Sequence, residues 1–136
     1  MIQITKDQLE KIFVHARREL PHECCGLLGG RNCFVNSVYN LKNVAANSLI
    51  EYEAAVEDLL IVQRTMRERR ETLVGIYHSH PQQSEPRPSE TDVACAFYPE
   101  AVYFIVGFRG NQPVLRAFRI YERERRSEQI DFFIVS

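Results

Sequence analysis

The sequence predicts an α/β chain of the α+β kind, with a central, mostly antiparallel sheet flanked by helices. Two segments carry the 3.6-residue apolar repeat of amphipathic helices, and short apolar or alternating runs between them read as strands. The two kinds mix without the regular βαβ alternation that builds a parallel sheet. At 136 residues the chain is read as one domain, residues 1–136, with a single core.

Thr5-x-x-Gln8 is a capping-box signal, and it opens a helix whose apolar positions Leu9, Ile12, Phe13, Ala16 and Leu20 keep helical spacing. Pro21 ends it, because proline cannot continue the hydrogen-bond ladder. His15 sits beside the buried stripe and reads as structural. Cys24 to Leu28, closed by Gly29-Gly30, and the alternating Cys33 to Leu41 together read as a hairpin. A second helix is expected over Ala54 to Arg70, burying Ala55, Leu59, Val62 and Met66. Leu73 to Tyr77 is a buried strand, followed by a polar, proline-rich loop from Pro81 to Pro88 whose Ser84–Pro88 part is expected to move. A short helix begins near Ser89 and stops at Tyr98-Pro99. Ala101 to Phe108 is the most apolar strand, Arg109-Gly110-Asn111 turns it into Val114 to Tyr121, and Ile130 to Val135 is the last strand.

Composition narrows the function. Hydrophobic residues at 45% and charged residues at 26% describe a globular chain. A net charge of -1 gives no electrostatic case for nucleic acid or an anionic membrane. The arginines at 64, 67, 69 and 70 and at 123, 125 and 126 alternate with glutamates, which makes them solvated faces. The first ten residues are charged where a secretory signal needs an apolar stretch, and no run reaches the ~18 apolar residues of a membrane span. The expected location is the cytoplasm. Cys24, Cys25, Cys33 and Cys95 show no C-x-x-C spacing, so buried inert thiols are expected rather than disulfides or a thiolate metal site.

The segment that carries chemistry is His78-Ser79-His80-Pro81, followed seven residues later by Ser89-Glu90-Thr91-Asp92. Residues two apart on a strand point to the same face, so His78 and His80 at a strand end can aim both imidazoles at one point. A catalytic zinc takes three nitrogen or oxygen ligands and keeps a fourth position for water, and Asp92 is the nearest third donor. Taken alone, each half has a plainer reading. H-x-H is ordinary on surfaces and in cores, and Ser89-x-x-Asp92 is what a helix N-terminus looks like.

The whole pattern, H-S-H-P-x(7)-S-x-x-D, resembles the signature of the JAMM, or MPN-plus, metalloprotease family in its compact prokaryotic form. The resemblance covers residues 1–121, including Gly75-Ile76-Tyr77-His78-Ser79-His80-Pro81. It implies a cytidine-deaminase-like curved sheet wedged between helices, with zinc held by His78, His80 and Asp92. It also implies that Ser89 assists at the oxyanion and that an upstream glutamate is the proton-transfer base. Glu23, just before the early strand of Pro21-His22-Glu23-Cys24-Cys25-Gly26, occupies that place, and His22 is the weaker candidate. His78 follows Glu23 by only 55 positions, which leaves no room for the insertions that grip a second ubiquitin. The compact members imply a small ubiquitin-fold sulfur-carrier protein as partner and substrate, cut after its C-terminal Gly-Gly, with cysteine released in one pathway.

Two other readings stand beside that one. A non-catalytic, zinc-stabilised module docking a ubiquitin-fold partner would have no need of Glu23. A zinc deaminase needs H-x-E with P-C-x-x-C, and the chain has no C-x-x-C. Exposed strands at the sheet edges would permit a homodimer.

Overall fold

The computed structural model describes residues 1–136. In chain order the elements are β1 (Gln3–Thr5), α1 (Lys6–Glu19), β2 (Cys25–Arg31), β3 (Phe34–Leu41), α2 (Val56–Glu68), β4 (Thr72–Ser79), α3 (Glu90–Ala94), β5 (Val102–Arg109), β6 (Gln112–Tyr121), β7 (Arg126–Ile130) and β8 (Phe133–Val135). They form one eight-stranded sheet in the order β7-β6-β5-β4-β2-β3-β1-β8. The pairings β2–β3, β2–β4, β5–β6 and β6–β7 are antiparallel, whereas β4–β5, β1–β3 and β1–β8 are parallel. The expected mixed α+β, mostly antiparallel architecture is the one found.

Strands β7 and β8 lie at opposite ends of that order, yet only Asp131 and Phe132 separate them. Three residues of extended chain reach about 10 Å. The sheet therefore curls until its two ends approach each other. Ile130 to Val135, expected as one strand, is broken at Asp131 because its halves pair with opposite edges.

Helix α1 begins where the capping box predicts, with the Thr5 hydroxyl accepting from Gln8 N. It buries Ile12, His15 and Ala16 against the inner face of the sheet, beside Ile4, Leu28, Tyr77, Phe104 and Val106. Leu20 lies past the helix end and is exposed. On the other face, α2 packs Val62 and Met66 onto Cys25 and Leu41. A third cluster joins Ile76, Ile105 and Phe118 to Ala96, next to α3. Strand β5 contributes Val102, Phe104 and Val106 to one face and Tyr103 and Ile105 to the other, which is why it is apolar throughout. No helix is long and apolar enough to cross a membrane.

The hairpin differs in detail from its expected form. Gly29-Gly30 lies inside β2, and the turn is Asn32-Cys33, with φ of 52° and 65°. Positive φ at both central residues is what a tight two-residue hairpin turn requires. The pairing with β3 shifts between Gly29 and Gly30, and a Cβ at Gly30 would collide with the Phe34 carbonyl. The glycines mark a bulge rather than a turn. A second bulge, where β2 pairs with β4, puts Leu73 and Ile76 on the α2 face and Val74 and Tyr77 on the α1 face.

The loop after β4 is pinned rather than free. His80 N donates to Val106 O, Phe108 N donates to Gln83 O, and Pro86 is buried. The loop passes so close to β5 that a Cβ at Gly107 would run into the Gln83 carbonyl. Gly107→Ala should therefore cost about 1–3 kcal/mol of stability by overpacking, read as a lower urea midpoint. A midpoint equal to the parent's would show that the loop is not pressed onto β5.

Candidate metal centre

Four segments meet at the C-terminal end of β4. Cys25 pairs with His78 across the β2–β4 ladder. Continuing that register sets Glu23 opposite His80, and Cys24 is doubly tied to Ser79. The Cys24 amide donates to Ser79 Oγ at 2.8 Å, and the Ser79 amide donates to Cys24 O at 3.1 Å. Ser79 thus points away from the histidines and clasps the strand that carries Glu23. The alternation expected for His78 and His80 is what permits this division of labour.

His78 and His80 share a face, and α3 brings Asp92 against both. Asp92 Oδ2 stands 3.1 Å from Nε2 of His78 and 3.1 Å from Nε2 of His80. The two Nε2 atoms are themselves 3.1 Å apart. Three ligands at ~2.0–2.1 Å from a tetrahedral zinc are about 3.3 Å from one another. The triangle is therefore the base of a tetrahedron of the size a metal ion needs. His78 and His80 are buried, and two imidazoles with a carboxylate are a donor set that suits a divalent ion.

Helix α3 supplies Asp92 by the same device that starts the helix. The Ser89 hydroxyl accepts from Asp92 N at 3.0 Å, and Ser89 N donates to Asp92 Oδ2 at 2.8 Å. This capping box fixes the aspartate rotamer. The Ser89 hydroxyl hydrogen stays available to donate, since accepting uses only a lone pair. Cap and functional donor are compatible on one side chain.

Glu23 is buried, with 4% of its surface exposed. Its carboxylate oxygen and the two histidine nitrogens all lie within 4.8 Å of one another. Burial pushes its carboxyl up to about 7; His80 opposes the rise, while Asp92 and Glu51 add to it. A carboxyl near 7 can both take and return a proton at neutral pH. Burial pushes His78 down, against the pull of Asp92. For His80 burial pulls downward, but the bond and charge of Asp92 together with Glu23 and Gln83 outweigh it and the group rises. For Asp92 burial acts upward, but the bonds from both histidines hold the carboxyl well below the usual range.

The structure brings together the four residues that the motif singled out, His78, His80, Ser89 and Asp92, and the upstream Glu23 that the resemblance added. His22 is directed elsewhere, with Nδ1 2.6 Å from Ser48 Oγ on the surface. His15 is buried under the sheet, with Nδ1 2.7 Å from the Tyr77 hydroxyl. Three contributors escaped the sequence reading. Gln83 Oε1 lies 3.2 Å from His80 Nδ1, and Tyr52 stacks on His78 with ring centroids 4.5 Å apart. Asn43 Nδ2 donates to Glu23 O at 2.9 Å and to Glu51 O at 3.0 Å. Only the Gln83 position carried a signal, lying three residues after His80 in the loop. The others come from a stretch without periodicity.

A groove of about 1010 Å³ runs from Ser89 and Asp92 between α2 and α3. Leu27, Ile50, Tyr52, Met66, Phe97 and Tyr103 make it mainly apolar. Ile50 and Phe97 at its rim are exposed.

The family model of prokaryotic homologs of the JAB domain matches residues 5–121, and the chain belongs to that family. The relatives include enzymes named for their activity. A desampylase of Haloferax volcanii is 34% identical over 110 residues, 76% of this chain and 78% of its own. A CysO-cysteine peptidase of Mycobacterium tuberculosis is 32% identical over 133 residues, 96% of this chain and 90% of its own. A Desulfitobacterium hafniense protein, whose structure was determined in solution, superimposes with a TM-score of 0.87 at 32% identity, covering 100% of this chain and 94% of that one.

Ser79→Ala would strip the side-chain acceptor from the buried Cys24 amide and loosen the clasp behind Glu23. A loss of about 1–3 kcal/mol of folding stability is expected in a urea titration. Unchanged stability would mean that the Ser79 contact contributes nothing.

Proposed function

We propose that the protein is a cytoplasmic, single-domain zinc peptidase or isopeptidase, its domain spanning residues 1–136. It cuts after the C-terminal Gly-Gly of a small ubiquitin-fold protein of the sulfur-carrier kind, with cysteine as a released group. The observation that carries this reading is the 3.1 Å triangle of His78 Nε2, His80 Nε2 and Asp92 Oδ2, with a buried carboxylate beside it. Both named relatives are enzymes, and the mycobacterial one is by name a peptidase acting on a cysteine adduct. The apolar groove that ends at Ser89 suits an extended tail, and its exposed apolar rim suits a protein surface.

In this proposal His78, His80 and Asp92 hold zinc. When bound, the ion supplies Lewis-acid polarisation of the scissile carbonyl and lowers the pKa of a water towards about 7. Glu23 accepts a proton from the attacking water at its carboxylate and later delivers it to the departing amine nitrogen. The water oxygen first joins the carbonyl carbon as the C=O π bond opens onto its oxygen. The carbonyl then re-forms as the C–N bond breaks, and the nitrogen leaves with the proton that Glu23 took from the water, so the proton balance closes. The Ser89 hydroxyl donates to the oxygen that gains charge, a contribution of about 2.7–4 kcal/mol where such donors have been removed. Gln83 holds His80 in the tautomer that leaves Nε2 free to ligate.

Glu23 rather than Asp92 as third ligand is the structural competitor, since it too offers an oxygen near both imidazoles. What favours Asp92 is its equal 3.1 Å spacing to both nitrogens. A module that used zinc only for stability would derive nothing from a carboxyl buried at the cost that lifts Glu23 to about 7.

Glu23→Gln should keep about one zinc per chain while peptidase activity on a ubiquitin-fold carrier with a C-terminal extension falls by about 10²–10⁴-fold, followed by mass spectrometry of the products. An active Glu23→Gln enzyme would remove the residue from its role as base, and a metal-free one would make it a ligand. His80→Ala should lose both metal and activity. Stoichiometric zinc in that variant, measured by elemental analysis, would contradict the ligand set.

A further inference from the structure

The two histidines of the triangle are held by different means. His80 has its second ring nitrogen 3.2 Å from Gln83 Oε1, and that oxygen is itself anchored by accepting from Arg87 N at 3.1 Å. His78 has no such partner. Its ring is completely buried, and its Nδ1 meets no hydrogen-bonding atom. Ligating imidazoles are ordinarily oriented by a bond from the second nitrogen to a carboxylate, carbonyl or water. What touches His78 instead is the face of Tyr52, with ring centroids 4.5 Å apart and planes inclined by 26°.

Resting on the metal reading above, we propose that Tyr52 is the positioning residue for His78. Its stacked ring takes the place of the missing hydrogen bond and keeps Nε2 aimed at His80 and Asp92. The loop that carries it is fixed for that purpose. The Asn43 side chain binds the backbone on both sides of Tyr52, with Nδ2 donating to Glu51 O and Oδ1 accepting from Glu53 N, each at 3.0 Å. Val44 N adds a bond to Glu53 O at 2.8 Å. The same Asn43 amide donates to Glu23 O, so one side chain ties the stacking loop to the segment that bears the buried glutamate. A ring that stacks needs its π-face and its place in the fold, not its hydroxyl. No hydrogen bond from the Tyr52 hydroxyl to another protein group accompanies the stack. The role is therefore transferable to phenylalanine but not to an aliphatic chain.

The test is zinc affinity, measured by titrating zinc into the metal-free full chain against a competing chelator, with the melting of each metal-free variant recorded alongside. Tyr52→Phe should bind zinc as the parent does. Tyr52→Leu and Tyr52→Met fill similar space without a ring, and should weaken zinc by about 10–100-fold while the metal-free chain still folds. Cobalt substituted into the same variants should show an altered visible spectrum, because the His78 donor is no longer held in place. Parent affinity in a folded Leu or Met variant would overturn the inference. So would a weakened Tyr52→Phe, which folds with the same ring and would assign the effect to the hydroxyl. A parent chain that binds no zinc would instead overturn the metal reading, and this inference with it.

Discussion

Everything in this molecule is arranged around one electrostatic difficulty: three electron-rich atoms forced to within 3.1 Å of one another in a buried corner. Without a cation or a proton between them, such lone pairs repel, and burial removes the water that would relieve them. A sheet end is a stiff enough support to hold them there. His78 lies between the partners Cys25 and Ile105, on strands paired along both of its edges, so its backbone has nowhere to relax. Asp92 comes from outside the sheet on a helix of one and a half turns, and its reach is set by a capping box rather than by core packing. Ligand binding is therefore coupled to folding: an ion that binds only the folded chain stabilises it.

The same geometry explains the division between the two carboxylates. Asp92 is surrounded by donors, two imidazoles and the Ser89 amide, which keep it ionised. Glu23 has its amide bound to Ser48 O and its carbonyl to Asn43, while its carboxyl is buried, and that burial dominates and lifts it to about 7. Paired carboxyls whose surroundings push them apart are the usual basis for assigning separate jobs. Asp92 is thereby held as an anion, whereas burial keeps the Glu23 carboxyl near 7.

Much of this was legible before any coordinates. The period-2 rule placed His78 and His80 on one face, the serine and aspartate spacing placed the start of α3, and Glu23 was singled out by the resemblance to the JAMM family. The helix α1 start was readable because its Thr5 cap is local. What escaped depends on contacts distant in sequence. Strand β1 is three residues long and pairs with β8 at the other end of the chain, so no window of sequence contains its reason to exist. The split of β7 from β8 follows from sheet curvature, and the Gly29-Gly30 bulge follows from a backbone approach that only the register reveals. Tyr52 sits in a stretch with neither helical nor strand periodicity, and its importance comes from a ring 26 positions later that it happens to face.

X-ray absorption at the zinc edge of the metal-replete protein tests the central claim most directly. Two imidazoles together with oxygen donors at about 2.0–2.1 Å and no sulfur are expected, with one oxygen that exchanges with solvent. A sulfur shell near ~2.3 Å, or four protein donors with no exchangeable position, would contradict that claim.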